Sequence, residues 1–392
     1  MQMRAKIAAA AAVAVAAGLL AVGTPAGAVA APAPLTASQF GMLATYHQYD
    51  ALNTALAGTL GTAAVHTVMD NANHDRTGIT DSLGLAGYTG GFRFDSGDNA
   101  DCANVPQGIT TSRDAVGGNY DGHQLVVVSW YTKADCASKG QARSRITLVD
   151  WDATYPDKYR KVLLVEPTGT TAAPSFTDIP VHAGGVVWYG DYLYVADTGR
   201  GMRIFDMRRI LKTSTAGTAD QIGRQANGAY YAHNYAYVLP QVGLTASGGP
   251  ASIPLSWSSI SLDRARPSIV MTEYTCAGCA DYDNRPPRVV RFPFAAGSTT
   301  FAAGTVASEA WQLPWYNLNG VASHNGRWWV NSSAAKTLYY WAPDGSLSAH
   351  PWVSGGESLS YWEDPGSADL LWSLQETAGH RNVFAVKQAS YT

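Results

Sequence analysis

The residues that could do acid–base chemistry lie in segments that join short β-strand patterns. His182 precedes Gly184-Gly185 and a strong strand pattern, and Asp178 lies just upstream of it. Glu273 and Glu376 follow strand patterns later in the chain. A histidine beside carboxylates can transfer protons, and a pair of carboxylates suits cleavage of a glycosidic bond. The alternative is that these side chains only cap strand ends by hydrogen bonds. Asp197, Arg203 and Asp281 lie in similar segments and have the same two interpretations.

No catalytic motif accompanies these residues. The chain lacks the G-x-S-x-G, H-E-x-x-H, phosphate-loop and dinucleotide-binding patterns. His233 and His324 fall in turns that the strand pattern places on the opposite face of the fold. The sequence therefore favours a non-enzymatic protein. A carbohydrate-active hydrolase or lyase is the alternative.

Two acidic clusters pose the question of calcium binding. Neither has the ligand spacing of a calcium-binding loop that ends in glutamate. Solvated turns are the simpler interpretation, with calcium as the alternative and no other cofactor expected. The clusters are Asp95, Asp98, Asn99 and Asp101, and Asp281, Asp283 and Asn284.

The elements that must position these residues follow one repeated phrase: a short strand, a tight turn, a stronger strand, a loop and a third strand. The phrase recurs at intervals of about 40–50 residues, which is typical of the four-stranded blades of a β-propeller. A β-sandwich is the alternative fold. Six copies are visible, at residues 108–150, 185–206, 228–239, 258–292, 320–341 and 358–386.

The last copy ends before a fourth strand, which predicts that the N-terminal segment closes the ring. We expect residues 40–100 to complete the last blade and to add a divergent one. The sequence thus predicts an all-β, seven-bladed propeller, or six blades if no divergent blade forms. Residues 32–392 would form this single domain.

The composition agrees with an all-β fold. Aromatic residues make up 11% of the chain, and 39 Gly and 19 Pro supply frequent turns. A net charge of −3 gives no footprint for nucleic acid or for an acidic membrane. We expect a monomer.

The N-terminus has the pattern of an export signal, residues 1–31. Arg4 and Lys6 precede an apolar run over residues 7–22, and small-x-small cleavage patterns follow at residues 26–30. A membrane anchor is the alternative, but the run tapers into Gly, Thr and Pro. No sorting signal is visible at the C-terminus, so we expect free secretion.

The four cysteines of an exported chain are expected to form disulfide bonds. The blade pattern places all of them on the face that carries the loops between second and third strands. Cys102 would pair with Cys136, and Cys276 with Cys279. A redox C-x-x-C site and a zinc site are the alternatives, but the helical context and the second ligand pair are missing.

The phrases at residues 181–207, at residues 106–115 and at residues 370–386 resemble those of secreted β-propeller proteins of filamentous actinobacteria, of the dispase autolysis-inducing type. The resemblance implies a seven-bladed propeller that is not itself an enzyme. It also implies two partners: a thermolysin-like neutral metalloprotease, whose self-digestion is promoted, and a secreted transglutaminase that uses glutamines of the chain.

A transglutaminase needs glutamine on exposed, flexible backbone. Gln39 near the mature N-terminus is the first candidate, followed by Gln141 in a long loop and Gln388 near the C-terminus. Ordinary surface glutamines are the alternative interpretation. The leading hypothesis is therefore a secreted interaction protein that binds the metalloprotease and offers these glutamines to the transglutaminase.

Overall fold

The computed structural model describes residues 29–133, 142–152, 157–248 and 253–392 of the chain. Strands β1–β14 are Ala33–Pro34, Gly41–Thr45, Thr62–Ala63, His74–Asp75, Tyr88–Arg93, Asn104–Thr111, Leu125–Thr132, Ser144–Asp150, Lys158–Thr170, Ala173–Asp178, Val186–Tyr189, Tyr192–Asp197, Gly201–Asp206 and Ile210–Lys212. Strands β15–β29 are Ile222–Arg224, Tyr230–Ala232, Tyr237–Ser247, Ser259–Asp263, Ser268–Thr272, Arg288–Pro293, Gly304–Val306, Glu309–Gln312, Leu318–His324, Arg327–Ser332, Thr337–Trp341, Leu347–Pro351, Gly356–Trp362, Leu370–Gln375 and Asn382–Lys387.

The helices are short and lie between strands. Helices α1–α4 are Asp50–Leu60, Val65–Asp70, Ser96–Ala100 and Ser112–Val116, and 3₁₀ turns occupy Ala37–Gln39, Met207–Arg209 and Gln388–Tyr391. None of the helices in the described ranges is long and apolar enough to cross a membrane.

The repeating unit is a four-stranded antiparallel sheet, or blade. The residues that the structure describes form five blades, which we number I–V in chain order of their first strands. Blade I is β6–β9, blade II is β11, β12, β13 and β17, blade III is β18, β19, β20 and β22, blade IV is β23–β26, and blade V is β27, β28, β29 and β5.

The first strands of the blades form a closed ring. Each packs against the first strands of the neighbouring blades, in the order β6, β11, β18, β23, β27 and back to β6. Hydrogen bonds cross the junctions: Trp188 N donates to Thr110 Oγ1 at 3.1 Å, and Ile109 N donates to Ser358 Oγ at 3.2 Å. Radial four-stranded sheets around a closed ring define a β-propeller, so the predicted fold is confirmed.

The described residues form five blades, whereas seven were expected, with six as the fallback. Residues 228–239 do not begin a blade of their own, because among the described strands β16 pairs with β15 alone, and β17 is the fourth strand of blade II. No divergent blade forms in residues 40–100. Strand β2 instead pairs with β17 and β21 at the edge of blade II.

The fourth strand of blade V, β5, comes from the N-terminal part of the chain, far in sequence from the other three strands. Strand β5 pairs with β29 in antiparallel register, with Phe92 opposite Val383. Strands from both ends of the folded chain thus share one blade, and this joins residues that are distant in sequence. The outer strands of blades I and II are also joined, because the first residues of β17 run parallel to β9.

The core lies between the blades and is rich in large aromatic side chains. Trp130, Trp188, Trp328 and Trp372 are almost completely buried. Such rings fill the wedge between two sheets and bury a large apolar area. Most aromatic residues of the chain therefore have a packing role.

Candidate functional site

One cavity lies where the loops of all five blades meet on the axis of the ring. It has a volume of about 420 Å³, and we call it the mouth cavity. Starts of first strands and loops between second and third strands line it, as expected for the end of a propeller channel. The lining residues are, in blade order, Gln107, Tyr131 and Lys133; His182 and Thr198; Ser256, Ser258, Tyr274 and Tyr282; Asn319 and Ser333; and Glu357 and Glu376.

Two of the four residues considered for catalysis line this cavity. His182 and Glu376 come from blades II and V. Glu376 is partly exposed, and its Oε2 accepts a hydrogen bond of 2.8 Å from Gln107 Nε2. Gln107 is almost completely buried, which fixes this carboxylate in place.

Glu357 is the carboxyl group that sequence reasoning missed. It lies at the start of β27, is 3% exposed, and its Oε1 accepts a hydrogen bond of 2.6 Å from Asn319 Nδ2. Burial, and then the nearby charge of Glu376, raise the pKa of Glu357 well above its ordinary value. The available signal was its place immediately before the strand phrase of blade V, on the same side as Glu376.

His182 is held as a neutral ring. Its ring centroid lies 4.4 Å from that of Tyr131. Desolvation by the surrounding protein, and then the ammonium group of Lys133, lower the pKa of His182 to about 4. The side chain is nevertheless exposed to solvent in the open cavity, so an uncharged imidazole is accessible to a ligand there.

The cavity therefore combines a buried carboxyl group whose pKa is raised, a second and partly exposed carboxyl group, and an imidazole ring. Burial favours the protonated form of Glu357, which can donate a proton, and Glu376 supplies a second carboxyl group beside it. Two carboxyl groups in different environments are a usual arrangement for acid–base catalysis.

Asp178 lies outside the mouth cavity. Its carboxylate accepts a hydrogen bond of 2.9 Å from His233 Nε2, and it does not line the cavity. The sequence had placed Asp178 and His233 on opposite faces. They meet because residues 228–239 fold back along blade I instead of starting a blade. His324 stacks on Tyr361 with ring centroids 4.2 Å apart.

Glu273 is also unsuited to catalysis. Its side chain is completely buried, and it accepts hydrogen bonds of 2.6–2.7 Å from Arg285 and Arg288 and one of 3.0 Å from Ser256 N. Burial opposes its ionisation, but the bonds from Arg288 and Arg285 outweigh burial and lower the pKa of Glu273. The residue anchors a loop at the mouth and leaves no oxygen free.

The remaining charged candidates are structural or lie apart from the cavity. Arg203 Nε donates to Asp197 at 3.0 Å, and its Nη1 donates to Glu166 at 2.8 Å. Asp281 is exposed in the loop between β19 and β20, and it does not line the cavity.

The known proteins that are similar to this chain resemble it only distantly. No family model and no curated protein matches the chain. The β-propeller domain of Cps50 (Swd1) from Myceliophteria thermophila is 10% identical, with a TM-score of 0.33 over 72% of this chain and 96% of that one. Virginiamycin B lyase from Staphylococcus aureus is 11% identical, with a TM-score of 0.29 over 80% of this chain and 99% of that one.

A protein of unknown function from Bacteroides thetaiotaomicron is 12% identical, with a TM-score of 0.33 over 81% of this chain and 76% of that one. These low scores carry no conclusion about activity. The propeller assignment rests on the strand pairing and the closed ring described above.

The predicted disulfide between Cys276 and Cys279 is present, in the loop between β19 and β20. Backbone bonds brace the same loop, because Cys276 N donates to Asp283 O and Gly278 N donates to Asn284 Oδ1. This loop carries Tyr274 and Tyr282 to the mouth cavity. Cys102 is disulfide-bonded, and its predicted partner Cys136 lies outside the described residues.

The acidic clusters do not fit a calcium site. His74, Asp95 and Asp98 lie close enough to share an ion, but Arg145 Nη2 and Lys161 Nζ already contact the Asp98 carboxylate at 3.2 and 2.6 Å. Those cations occupy the place of a metal. Asp101 accepts from Ala103 N and Asn104 Nδ2, Asn99 accepts from Arg381 N, and Asp283 pairs with Arg285.

The three glutamine candidates differ in access. Gln39 is exposed and ends the 3₁₀ turn Ala37–Gln39. Gln388, expected to be accessible, is instead 7% exposed, because the turn Gln388–Tyr391 packs back onto the blades. Gln141 lies outside the described residues.

Proposed function

We propose that the chain is an exported, non-enzymatic interaction protein that binds a secreted thermolysin-like neutral metalloprotease and promotes its self-digestion. The resemblance of residues 181–207 to secreted actinobacterial propellers supports it. The observation that carries it is that Asp178 is bonded to His233 and Glu273 to two arginines, which leaves only two of the four residues considered for catalysis at the mouth cavity.

A protease stability assay tests this function. A thermolysin-type protease incubated with the purified propeller should lose intact chain faster than the protease with an equal mass of albumin. The propeller should also co-elute with the inhibitor-blocked protease in gel filtration. An unchanged protease half-life together with no co-elution would refute the proposal.

The proposal includes a transglutaminase that uses glutamine of this chain. Exposed Gln39 on a short turn near the first described residues supports it, whereas Gln388 is buried. Transglutaminase should couple a fluorescent amine to the protein, and Gln39→Asn should remove most of the label. Gln388→Asn is the matched control, and equal labelling of both variants would exclude Gln39 as the main donor.

Export belongs to the same proposal. The positive, apolar and small-residue pattern of residues 1–31 supports it. N-terminal sequencing of protein from culture medium should find a first residue near Ala31, and an uncleaved chain held in the cell would contradict it.

A second candidate function, a carbohydrate-active hydrolase or lyase, is favoured by one specific observation. Glu357, a buried carboxyl group whose pKa is raised, lies near the second carboxyl group of Glu376 in the mouth cavity. Release of reducing ends or unsaturated sugars from a polysaccharide panel, abolished in Glu376→Gln, is the expected result. No product from any polysaccharide would exclude this activity.

A further inference from the structure

Aromatic rings form one part of the wall of the mouth cavity. Tyr274 and Tyr282 lie edge to face with ring centroids 5.0 Å apart, and Tyr282 is 54% exposed. Tyr131 and His182 form a second ring pair. In a fold that buries most of its aromatic side chains, open ring faces at a cavity are surfaces on which a flat, partly apolar ligand can stack.

Hydrogen-bonding groups form another part of the wall. Asn319 and Gln107 each hold one oxygen of a carboxyl group, Glu357 Oε1 at 2.6 Å and Glu376 Oε2 at 2.8 Å. Among the described residues no other hydrogen-bond partner contacts either carboxyl group, so the second oxygen of each can bond a ligand. Hydroxyl groups of Ser256, Ser258, Ser333 and Thr198 lie around the same cavity. Carboxyl, amide and hydroxyl groups can serve both as donors and as acceptors toward ligand hydroxyls.

The charges of the lining are nearly balanced. Lys133 is a basic side chain and Glu376 an acidic one. Burial raises the pKa of Glu357 and so favours its uncharged form, and burial lowers the pKa of His182 to about 4, so its ring is uncharged at neutral pH. An anionic or strongly cationic ligand would find no excess of opposite charge here. An uncharged ligand with many hydroxyl groups fits this lining best.

We propose that the mouth cavity binds a short neutral carbohydrate, stacked on Tyr282 and hydrogen-bonded by Glu357 and Glu376. The volume of about 420 Å³ falls within the range of small-ligand sites. This inference rests on the second candidate function in one respect only, because both assign the functional site to the mouth cavity. It concerns binding and does not require cleavage.

Isothermal titration calorimetry tests this inference with the full mature protein. The probes are cello-, xylo-, malto- and N-acetylchito-oligosaccharides, with oligogalacturonate as the charged comparison. At least one neutral series should bind, and Tyr282→Ala should weaken that binding about tenfold through loss of stacking. Glu376→Gln should weaken it by a similar factor through loss of a charged acceptor.

The control is Tyr88→Ala, which removes another exposed tyrosine that lies in β5 and not at the cavity. It should bind as the unchanged protein does, and circular dichroism should show all variants folded. No heat with any neutral series, binding of oligogalacturonate alone, or equal affinity in Tyr282→Ala would each overturn the inference. Binding without product release would refute only the enzymatic candidate function.

Discussion

At the scale of single residues, Glu357 is the most unusual group of the molecule. It is a carboxyl group buried at the start of a first strand, bonded to an amide and close to a second carboxyl group. Ionising it would place a negative charge in a buried position near Glu376. Its protonation therefore follows from where the ring places it.

Glu357→Gln should stabilise the protein at neutral pH. The folded state keeps the proton above the ordinary pKa of 4.5, whereas the unfolded state releases it. The native state thus binds more protons, so stability falls as pH rises from this value toward the raised pKa. The variant should lose this decline and be the more stable protein at pH 7.

Urea unfolding of both proteins between pH 4 and pH 8 measures this effect. Glu363→Gln, which changes a partly exposed carboxyl, is the control and should leave the slope of stability against pH unchanged. An equal slope in Glu357→Gln would show that Glu357 is ionised in the folded state.

Glu273→Gln should have the opposite effect. The substitution leaves Arg285 and Arg288 without the buried carboxylate that both contact, and such a loss costs about 3–5 kcal/mol. Chemical denaturation measures it. Asp281→Asn, in the same loop but exposed, should change stability by no more than about 0.5 kcal/mol. An unchanged free energy of unfolding in Glu273→Gln would show that the ion pairs do not stabilise the fold.

At the scale of elements, glycines at the starts of first strands set how closely the blades approach. A Cβ on Gly185 would clash with the backbone N of Ile260 and lie 2.9 Å from its Cγ1, in the neighbouring blade. A Cβ on Gly108 would lie 2.7 Å from Val186 N, and one on Gly320 the same distance from Ser358 C. The glycine in the repeated phrase is therefore required by the junction between blades.

Gly185→Ala should lower the free energy of unfolding by about 3 kcal/mol, the upper end for an overpacked core. Gly199→Ala is the matched control, because a Cβ there meets nothing within 4 Å. Thermal unfolding of both variants distinguishes them. Equal stability would mean that the ring relaxes to admit the extra methyl group.

At the scale of the whole molecule, blade V connects the two ends of the folded chain. Phe92 of β5 is completely buried between this blade and blade I. Phe92→Ala should cost about 3–5 kcal/mol. Tyr88→Ala, in the same strand but 45% exposed, should cost less than about 1 kcal/mol.

Calorimetry should show one cooperative transition that moves to lower temperature in Phe92→Ala, because a ring without its closing strand exposes the junctions of every blade. A separate early transition, with the rest of the molecule unchanged, would show that blade V unfolds independently.

Much of this architecture was predictable because it is local. Alternating apolar residues and tight turns predicted the first three strands of all five blades, and the same face for Glu376 and His182. They also predicted the short disulfide between Cys276 and Cys279. Each of these features depends on residues that are near one another in sequence.

The tertiary structure alone decided the blade count and the membership of the site. Residues 228–239 have the phrase of a blade, but residues 238–240 pair with β9 and residues 241–246 pair with β13, which makes β17 an outer strand. The closed ring places Glu357 near Glu376 and Gln107. Glu273 instead forms ion pairs with two arginines. Whether a carboxyl group is a reactive acid or a structural anion depends on burial and on partners from other strands, and local spacing does not encode these.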